Sequence, residues 1–264
     1  MSFAVRFSIG SLLDLRVRVL TIERVRVSRA ELVFPVLERP ESHLRPGGTE
    51  NNRFRSRPRP SGELQASVLS FRNLHLFGEL FVSYLKVRHD VFVAQRGWDL
   101  PAVDGMEFDQ YDTPLARFVV IHEHGEILAG IRLSPTTARV GLHSYMIRDA
   151  QMGLLKDLPD DVLFFPAPVS DQVWEATRLF VTQKVPSSRR GLVQTLLMTT
   201  MASAAREVGA KQVIGIVPAV FRRWLQRIGM SATPVGPEIE IDGVRTCAAL
   251  FNVAMFDPAS KIRT

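Results

Sequence analysis

Residues able to do ionic and acid–base chemistry are concentrated in the stretch 88–112. Its charged and aromatic members are Arg88, Phe92, Trp98, Glu107, Asp109, Tyr111 and Asp112. Gly97, Pro101 and Gly105 interrupt the stretch too often for it to form one helix or strand. Carboxylates and aromatic faces attract cations, and a guanidinium pairs with a carboxylate through two parallel hydrogen bonds. Charge on irregular backbone between regular elements is typical of binding sites, so we expect one here.

Two later segments add charged residues to this set. Arg132 comes near the end of an apolar run, and Glu175 lies in the apolar segment 173–182, where an unpaired carboxylate would be costly. Arg178 follows Glu175 by three residues, so in a regular strand the two side chains would point to opposite faces. A β-bulge between them would instead bring both to one face, so the sequence leaves these two arrangements open.

Hydrophobic periodicity and turn residues predict the elements that must position these side chains. Apolar residues at three- and four-residue spacing predict one helix over 74–95, ended by Gly97, and a long helix over 189–209. Short turns predict hairpins around His124-Gly125 and Asp242-Gly243. The other expected elements are strands at 66–71, 173–182 and 211–218, a weak helix at 146–155 and a short helix at 219–229. This order predicts an α/β fold with a mixed central sheet flanked by helices.

The composition excludes several classes of protein. The chain has 264 residues, of which 46% are hydrophobic, enough for a substantial core. It has no apolar run of the roughly 18–20 residues that a membrane helix needs, and its N-terminus lacks the pattern of a signal peptide. The single cysteine, Cys247, excludes an internal disulfide and fits a reducing compartment. We therefore expect a cytoplasmic protein with no membrane partner.

The first 64 residues differ in composition from the rest of the chain. Residues 1–63 hold 12 Arg, no Lys and 7 acidic residues, so they carry most of the net charge of +6. Their Pro-, Gly- and Arg-rich second half is typical of disordered chain. Three interpretations stay open: a basic arm for an acidic partner, an extension without a role, or a start site set too early; we favour the last two together. We assign 1–64 to an extension and 65–264 to the folded domain, for which we expect no nucleic-acid partner.

Eight separated positions resemble the acyl-homoserine-lactone synthases of the LuxI type. That family has R-x3-F, a Trp, D-x2-D, R-L-x-P-T and W-E-x-S-R-F, in the order in which the motifs occur here. The matching positions are Arg88, Phe92, Trp98, Asp109, Asp112, Arg132, Glu175 and Arg178. Thr177 and Leu179 stand where the family has Ser and Phe. The resemblance covers about Gln65 to Phe256 and implies a GNAT-like acyltransferase fold. The order of elements also resembles the core of that fold: a strand is followed by Arg189-Arg190-Gly191, a long helix and another strand.

The resemblance implies an enzyme that transfers a fatty acyl group from acyl-carrier protein to the amine of S-adenosyl-L-methionine and then closes a lactone. The products would be an N-acyl-L-homoserine lactone used as a quorum-sensing signal, methylthioadenosine and free carrier protein. By this likeness Glu175, Arg178, Asp109 and Asp112 would be catalytic. The substrate-binding residues would be Arg88, Phe92, Trp98, Arg132 and Thr177. S-adenosyl-L-methionine is then a substrate, and neither a cofactor nor a metal is expected.

The residue types suit these substrates. The carboxylates of Asp109 and Asp112 and the two aromatic rings favour the sulfonium and amino groups, and Arg88 or Arg132 would suit the substrate carboxylate. An α-amino group has a pKa of about 8 and is mostly protonated at pH 7, so a base is needed. Our candidate is Glu175, acting directly or through water. Such charged residues also form purely structural networks, so we expect the two aspartates to serve both purposes.

The acyl chain and its carrier need surfaces of their own. We expect the chain between the long helix and the strand after it, on Met198, Met201, Ile214 and Ile216, half of which must be ordinary core. Carrier proteins are acidic, so a docking face is expected on Arg189, Arg190, Lys211, Arg222, Arg223 and Arg227, with a solvated basic surface as the alternative. We expect a monomer. Two other functions stay open: a GNAT-type N-acyltransferase that uses acyl-coenzyme A, and a binding module without catalysis.

Overall fold

The computed structural model describes residues 63–256, which form a seven-stranded mixed sheet. The strands are β1 Gln65–Leu69, β2 Ala102–Val103, β3 Met106–Glu107, β4 Arg117–Glu123, β5 Glu126–Pro135, β6 Val173–Val181, β7 Gln212–Pro218, β8 Ala232–Ile241 and β9 Val244–Asn252. The helices are α1 Leu80–Arg88, α2 Met146–Gln151, α3 Ser187–Glu207 and α4 Ala219–Arg227. The sheet order is β1-β4-β5-β6-β7-β9-β8, and β2 and β3 form a separate small hairpin. The expected α/β architecture with a mixed sheet is confirmed.

The two faces of the sheet carry different layers. On one face the apolar residues of α3 and α4 pack against alternate strand residues, among them Ile131, Leu133 and Val213. The opposite face is covered by α1 near β4 and by α2 and the segment after it near β7. Successive strand residues point to opposite faces, so the neighbours of the first set face the second layer. Arg132, Glu175 and Thr177 are on this second face.

The sheet is incompletely joined at its centre. β6 and β7 are parallel and pair only between Val173–Glu175 and Gln212–Ile214. No pairing links 176–181 of β6 to 215–218 of β7. We call this region the split. It divides the sheet into β1-β4-β5-β6 and β7-β9-β8, which meet at the N-terminal ends of β6 and β7 and are open at their C-terminal ends.

The helix predicted over 74–95 is wrong as a single element. A 3-10 turn at Leu74–Leu76 is followed by α1, which continues as a π-helical stretch at His89–Gln95. Gly78, with φ of +53°, separates the first two pieces, and Gly97, with φ of +71°, ends the third. Periodicity detects the apolar face but not this change in helix type, because the spacing of contacts on that face alters only slightly.

The tight turns follow the sequence prediction more closely. Both predicted hairpins are present, and His124-Gly125 and Asp242-Gly243 have positive φ at both positions, as a two-residue turn of this kind requires. The β2–β3 hairpin lies outside the sequence prediction, since its strands have two residues each.

The predicted division into an extension and a folded domain can be compared with the structure only from residue 63 onward. The predicted extension 1–64 lies outside the described residues except for Glu63 and Leu64. Among the helices within 63–256, none has the length and apolar character to cross a membrane.

Candidate active site

Arg88 joins the two ends of the 88–112 stretch. Its Nε donates to Glu107 Oε2 at 2.5 Å, and its Nη1 and Nη2 donate to Asp112 Oδ1 and Oδ2 at 2.7 and 3.0 Å. The side chains of Arg88 and Glu107 are fully buried. The irregular backbone after Gly97 therefore folds back beneath α1, with β3 carrying Glu107 to the end of that helix.

Arg132 on β5 makes a second set of contacts with the same stretch. Its Nη1 and Nη2 donate to Asp109 Oδ1 and Oδ2 at 2.5 and 3.1 Å, and its Nε donates to Thr177 Oγ1 at 3.0 Å. Nη1 also lies 2.9 Å from Asp112 Oδ1. Backbone N–H groups support the two aspartates: that of Asp109 donates to Asp112, and that of Tyr111 donates to Asp109.

Arg178 reaches the network through a β-bulge. The β5–β6 register shifts between Gly130 and Arg132, and Arg178 has φ of +55°, a left-handed conformation rare for a residue with a Cβ. Its Nη2 then donates to Glu107 Oε1 at 3.1 Å and to Asp109 Oδ2 at 2.8 Å. The bulge places Arg178 on the same face as Glu175, which is the second of the two arrangements that the sequence leaves open.

The ionic network balances its charges. It consists of three guanidiniums and three carboxylates, on Arg88, Arg132, Arg178, Glu107, Asp109 and Asp112. Burial on its own would raise the pKa of Asp109, but Arg132 and Arg178 outweigh burial and hold that pKa well below its usual range. Burial would likewise lower the pKa of Arg132, yet Asp109 and Asp112 raise it. Asp109 and Arg132 therefore stay charged at neutral pH.

These contacts change the interpretation of Arg88 and Arg132 as residues that bind the substrate. The guanidinium nitrogens of Arg88 and Arg132 already donate to protein groups, and both side chains are fully buried. Direct pairing with a substrate carboxylate therefore stays a prediction for both. What their contacts give them is a positioning role, since Arg88 fixes the irregular stretch to α1 and Arg132 fixes it to β5.

Two aromatic rings form the outer part of the site. Phe92 and Trp98 stack with centroids 5.2 Å apart and an interplanar angle of 27°. The Arg178 guanidinium carbon lies 5.6 Å from the Phe92 centroid, and that of Arg96 lies 5.2 and 5.3 Å from the centroids of Phe92 and Trp98. Phe92 is buried and Trp98 is partly exposed, so Trp98 is the ring that a ligand can reach.

Glu175 is a buried carboxylate without a cationic hydrogen-bond partner among the described residues. Its Oε1 accepts the backbone N–H of Ile147 at 2.7 Å, and its Oε2 accepts that of Met146 at 2.9 Å, at the start of α2. Its side chain is fully buried on the face that carries Arg132. Burial raises the pKa of Glu175 to about 7, against the lowering effect of the two N–H groups. Such a carboxyl group is poised to exchange a proton at neutral pH.

Asp149 is a further buried carboxylate, outside the ionic network, and none of the sequence motifs marks it. It accepts hydrogen bonds from the Tyr111 hydroxyl at 2.8 Å and from the backbone N–H of Ser144 at 2.9 Å, and its Oδ2 lies 2.9 Å from Nδ1 of His143. Burial, then the bond to Asp149, raises the pKa of Tyr111, which keeps this hydroxyl a donor. The Ser144 hydroxyl has no partner among the described residues, so these groups are not a nucleophilic triad. They tie the 109–112 segment to α2.

The four residues predicted to line the acyl pocket do not lie on one face of the sheet, and their contact with an acyl chain stays a prediction. Met198 and Met201 of α3 pack on one face of the sheet, whereas Ile214 and Ile216 of β7 pack on the other. The physical reason is strand alternation: the β7 residues that contact the α3 layer are Val213 and Val217. Only Ile214 and Ile216 lie on the face that carries Glu175.

The predicted docking face is only partly free. Arg189 forms an ion pair with Glu123 at 3.0 Å, and Arg190 points to the carbonyl of Thr182. Lys211, Arg223 and Arg227 are exposed, and the side chain of Arg222 lies outside the described part of the structure.

Comparison with known proteins decides the family. Residues 76–256 match the family profile described as autoinducer synthase. The chain belongs to the autoinducer synthase family. It is 34% identical over 180 residues to an acyl-homoserine-lactone synthase of Ralstonia solanacearum, covering 62% of this chain and 82% of that relative. It is 30% identical over 196 residues to an acyl-homoserine-lactone synthase of Acinetobacter baumannii, covering 70% and 98%. The autoinducer synthases are acyltransferases, so the chain is an enzyme of that class.

Solved structures of autoinducer synthases agree in fold. TofI, solved in a ternary complex with an inhibitor and MTA, is 29% identical, with a TM-score of 0.57 over 74% of this chain and 98% of that one. BjaI, described as a CoA-dependent acyl-homoserine lactone synthase and solved with SAM and isopentyl-CoA, is 25% identical, with a TM-score of 0.59 over 72% and 84%. The GNAT-like fold is confirmed. Within residues 63–256, no group of three or more His, Cys, Asp or Glu side chains is arranged to hold a metal ion.

Proposed function

We propose that this autoinducer synthase joins an acyl group from a thioester donor to S-adenosyl-L-methionine and releases an N-acyl-L-homoserine lactone and methylthioadenosine. The observation that supports it most is Glu175, a buried carboxylate with a pKa of about 7 beside the saturated ionic network. The ionic network holds the 88–112 stretch on one face of the sheet, and Glu175 supplies a titratable group on that face. Relatives named acyl-homoserine-lactone synthases are 34% and 30% identical over 180 and 196 residues of this chain.

The reaction divides into two bond exchanges. The substrate amine attacks the thioester carbonyl, so an N–C bond forms and the C–S bond breaks. The ammonium group gives up two protons; one ends on the departing thiolate and one leaves through a base. The substrate carboxylate then attacks its own γ-carbon, an O–C bond forms, and the sulfonium takes the electron pair of its C–S bond to leave as neutral methylthioadenosine.

Glu175 is proposed as the base of the first exchange. With a pKa of about 7 it is roughly half deprotonated at neutral pH and can accept the ammonium proton directly or through water. Its two backbone partners hold the carboxylate in one orientation. A carboxylate with an ordinary pKa would be a much weaker base for an amine whose pKa is about 8.

The split is the proposed opening for the thioester arm. Within residues 63–256, the strand backbone groups that face the split on β6 and β7 have no sheet partner beyond Glu175 and Ile214. The arm of the donor is an extended chain with amides, which suits unpaired strand backbone. α3 begins at Ser187 at the same end, with no acidic residue in its first turn, which suits a phosphate group.

Acyl-carrier protein is the proposed donor, and acyl-coenzyme A is the second candidate. The exposed basic residues Lys211, Arg223 and Arg227 favour an acidic carrier. The relative BjaI, which is described as CoA-dependent, favours coenzyme A.

The experiment measures kcat/KM with matched acyl thioesters of both carriers, with mass spectrometry of the products. We expect lactone and methylthioadenosine with the carrier-protein thioester, and a lower kcat/KM with coenzyme A. An acylated product without lactone or methylthioadenosine would identify a different N-acyltransferase. The Glu175→Gln variant, folded but at least about a hundredfold slower, would support the base, whereas normal turnover by that variant would exclude it.

A further inference from the structure

Trp98 and Asp242 connect two parts of the chain that lie 144 residues apart in sequence. The indole N–H of Trp98 donates to the Oδ2 of Asp242. Trp98 follows the π-helical stretch, and Asp242 is the first residue of the two-residue turn between β8 and β9, with φ of +52°. Asp242 lies outside the motifs that resemble the synthase family.

Strand register places this contact at the open end of the split. β9 is antiparallel to β7, with Thr246 opposite Pro218, so the Asp242-Gly243 turn lies beyond the C-terminal end of β7. That is the end at which β6 and β7 are no longer paired. Trp98 belongs to the other half, because its stacking partner Phe92 packs edge-on against Phe180 of β6 at 6.1 Å. The hydrogen bond thus crosses from one half of the sheet to the other.

We propose that Asp242 is a positioning residue that holds the Trp98 ring across the open end of the split and so fixes one wall of the S-adenosyl-L-methionine site. The identity of the ligand rests on the proposed function. An aromatic ring stacked at 5.2 Å on one side still turns about its side-chain torsions unless its polar edge is held. Asp242 holds that edge, so the wall is formed before the ligand arrives.

The turn offers a matched pair of variants. Asp242→Gly removes the acceptor and keeps the left-handed backbone, which glycine adopts freely. Asp242→Asn keeps an acceptor oxygen and is also tolerated in that conformation. Both variants therefore preserve the hairpin, and only the first releases the indole.

Binding of S-adenosyl-L-methionine by calorimetry tests the ligand part. We expect Asp242→Gly to weaken binding about three- to tenfold, the effect of losing one hydrogen bond, and Asp242→Asn to bind within about twofold of the wild type. In a Trp98→Phe background, Asp242→Gly should cause no further weakening. Equal affinities for the glycine and asparagine variants would overturn the proposal.

Acrylamide quenching of tryptophan fluorescence tests the positioning itself without any substrate. We expect more quenching in Asp242→Gly than in Asp242→Asn, and no such difference once Trp98 is Phe, because the other tryptophans, Trp174 and Trp224, pack in the α3 layer. Equal quenching in Asp242→Gly and Asp242→Asn would contradict the proposal that Asp242 holds Trp98, whatever the substrate of the enzyme is. If the wild type fails to bind S-adenosyl-L-methionine, the proposed function fails, and quenching still decides whether Asp242 holds Trp98.

Discussion

At the scale of single residues, Asp109 combines structural and functional duties. One carboxylate accepts from Arg132, Arg178 and the backbone N–H of Tyr111. Removing one partner of a buried ion pair leaves the other charge unpaired in a poorly solvated place, which is more costly than the pair is favourable. A single substitution of Asp109 therefore cannot separate its structural role from its predicted functional role.

We predict that Asp109→Asn lowers the free energy of unfolding by about 3–5 kcal/mol, because Arg132 and Arg178 lose their shared anion. Urea denaturation measures this. The control is Glu126→Gln, which breaks the exposed ion pair with Lys184 and should cost less than about 1 kcal/mol. Similar costs for the two variants would show that the buried network is not stabilised by its charges.

Glu175 predicts a pH dependence of stability with a defined sign. Its pKa is raised from 4.5 to about 7 in the folded protein, so the folded chain keeps a proton that the unfolded chain has released. The contribution is therefore favourable at low pH and is lost as pH rises from about 4.5 to about 7, by about 3 kcal/mol in total. Subtracting the curve of Glu175→Gln from that of the wild type cancels the other groups. Parallel curves through this window would rule out the raised pKa.

The sequence indicates the ionic residues better than it indicates their partners. Motifs mark Arg88, Asp109, Asp112, Arg132 and Arg178, and strand parity shows that Glu175 and Arg178 share a face only if a bulge lies between them. Their mutual saturation is not predictable, because it depends on how the irregular backbone folds back. Asp149 carries no signal at all: its place in α2 is unremarkable until Tyr111 and His143 are seen to converge on it.

At the scale of elements, the split between β6 and β7 gives the site its proposed opening. Gly215 lies just after the last β6–β7 pair, where an added Cβ would come within 2.8 Å of the Ala176 carbonyl oxygen. The two strands approach too closely there for any side chain. Glycine is thus required where the paired part of the sheet ends and the split begins.

We predict that Gly215→Ala destabilises the fold by about 1–3 kcal/mol, because the backbone of β6 must move away. It should also raise the KM for the thioester donor, since it alters the walls of the split. Thermal unfolding and steady-state kinetics measure the two effects. Gly191→Ala in α3 is the control: no atom lies within 4 Å of its added Cβ, and helix propensity should stabilise it by about 0.5–1 kcal/mol. If Gly215→Ala left the stability unchanged, β6 would be able to move away from the added Cβ without cost.

Elements are predictable where one period continues over many residues. α3 and the two long hairpins agree closely with the sequence prediction. The four residues predicted to line the acyl pocket lie on two faces of the sheet, and only the strand register shows that Ile214 and Ile216 turn away from the helix. The helix over 74–95 fails at Gly78, where a single backbone conformation decides the break.

At the scale of the whole molecule, we propose that the activity needs only the elements from β1 to β9. All the residues placed in the site, and Asp242, lie within 88–242. We propose that a chain starting at residue 63 keeps kcat/KM within about twofold of the full chain and an unchanged melting temperature, because the match to the family begins only at residue 76. A large loss of activity would give residues 1–62 a catalytic or docking role.

Isotope tracing in the purified protein is the sharpest test of the proposed reaction. S-adenosyl-L-methionine would carry one label in its aminobutyrate carbons and another in its S-methyl group, and would be incubated with an acyl thioester. We expect the first label in N-acyl-homoserine lactone and the second in methylthioadenosine, in equal amounts at every time point. Release of free thiol without either labelled product would exclude this reaction.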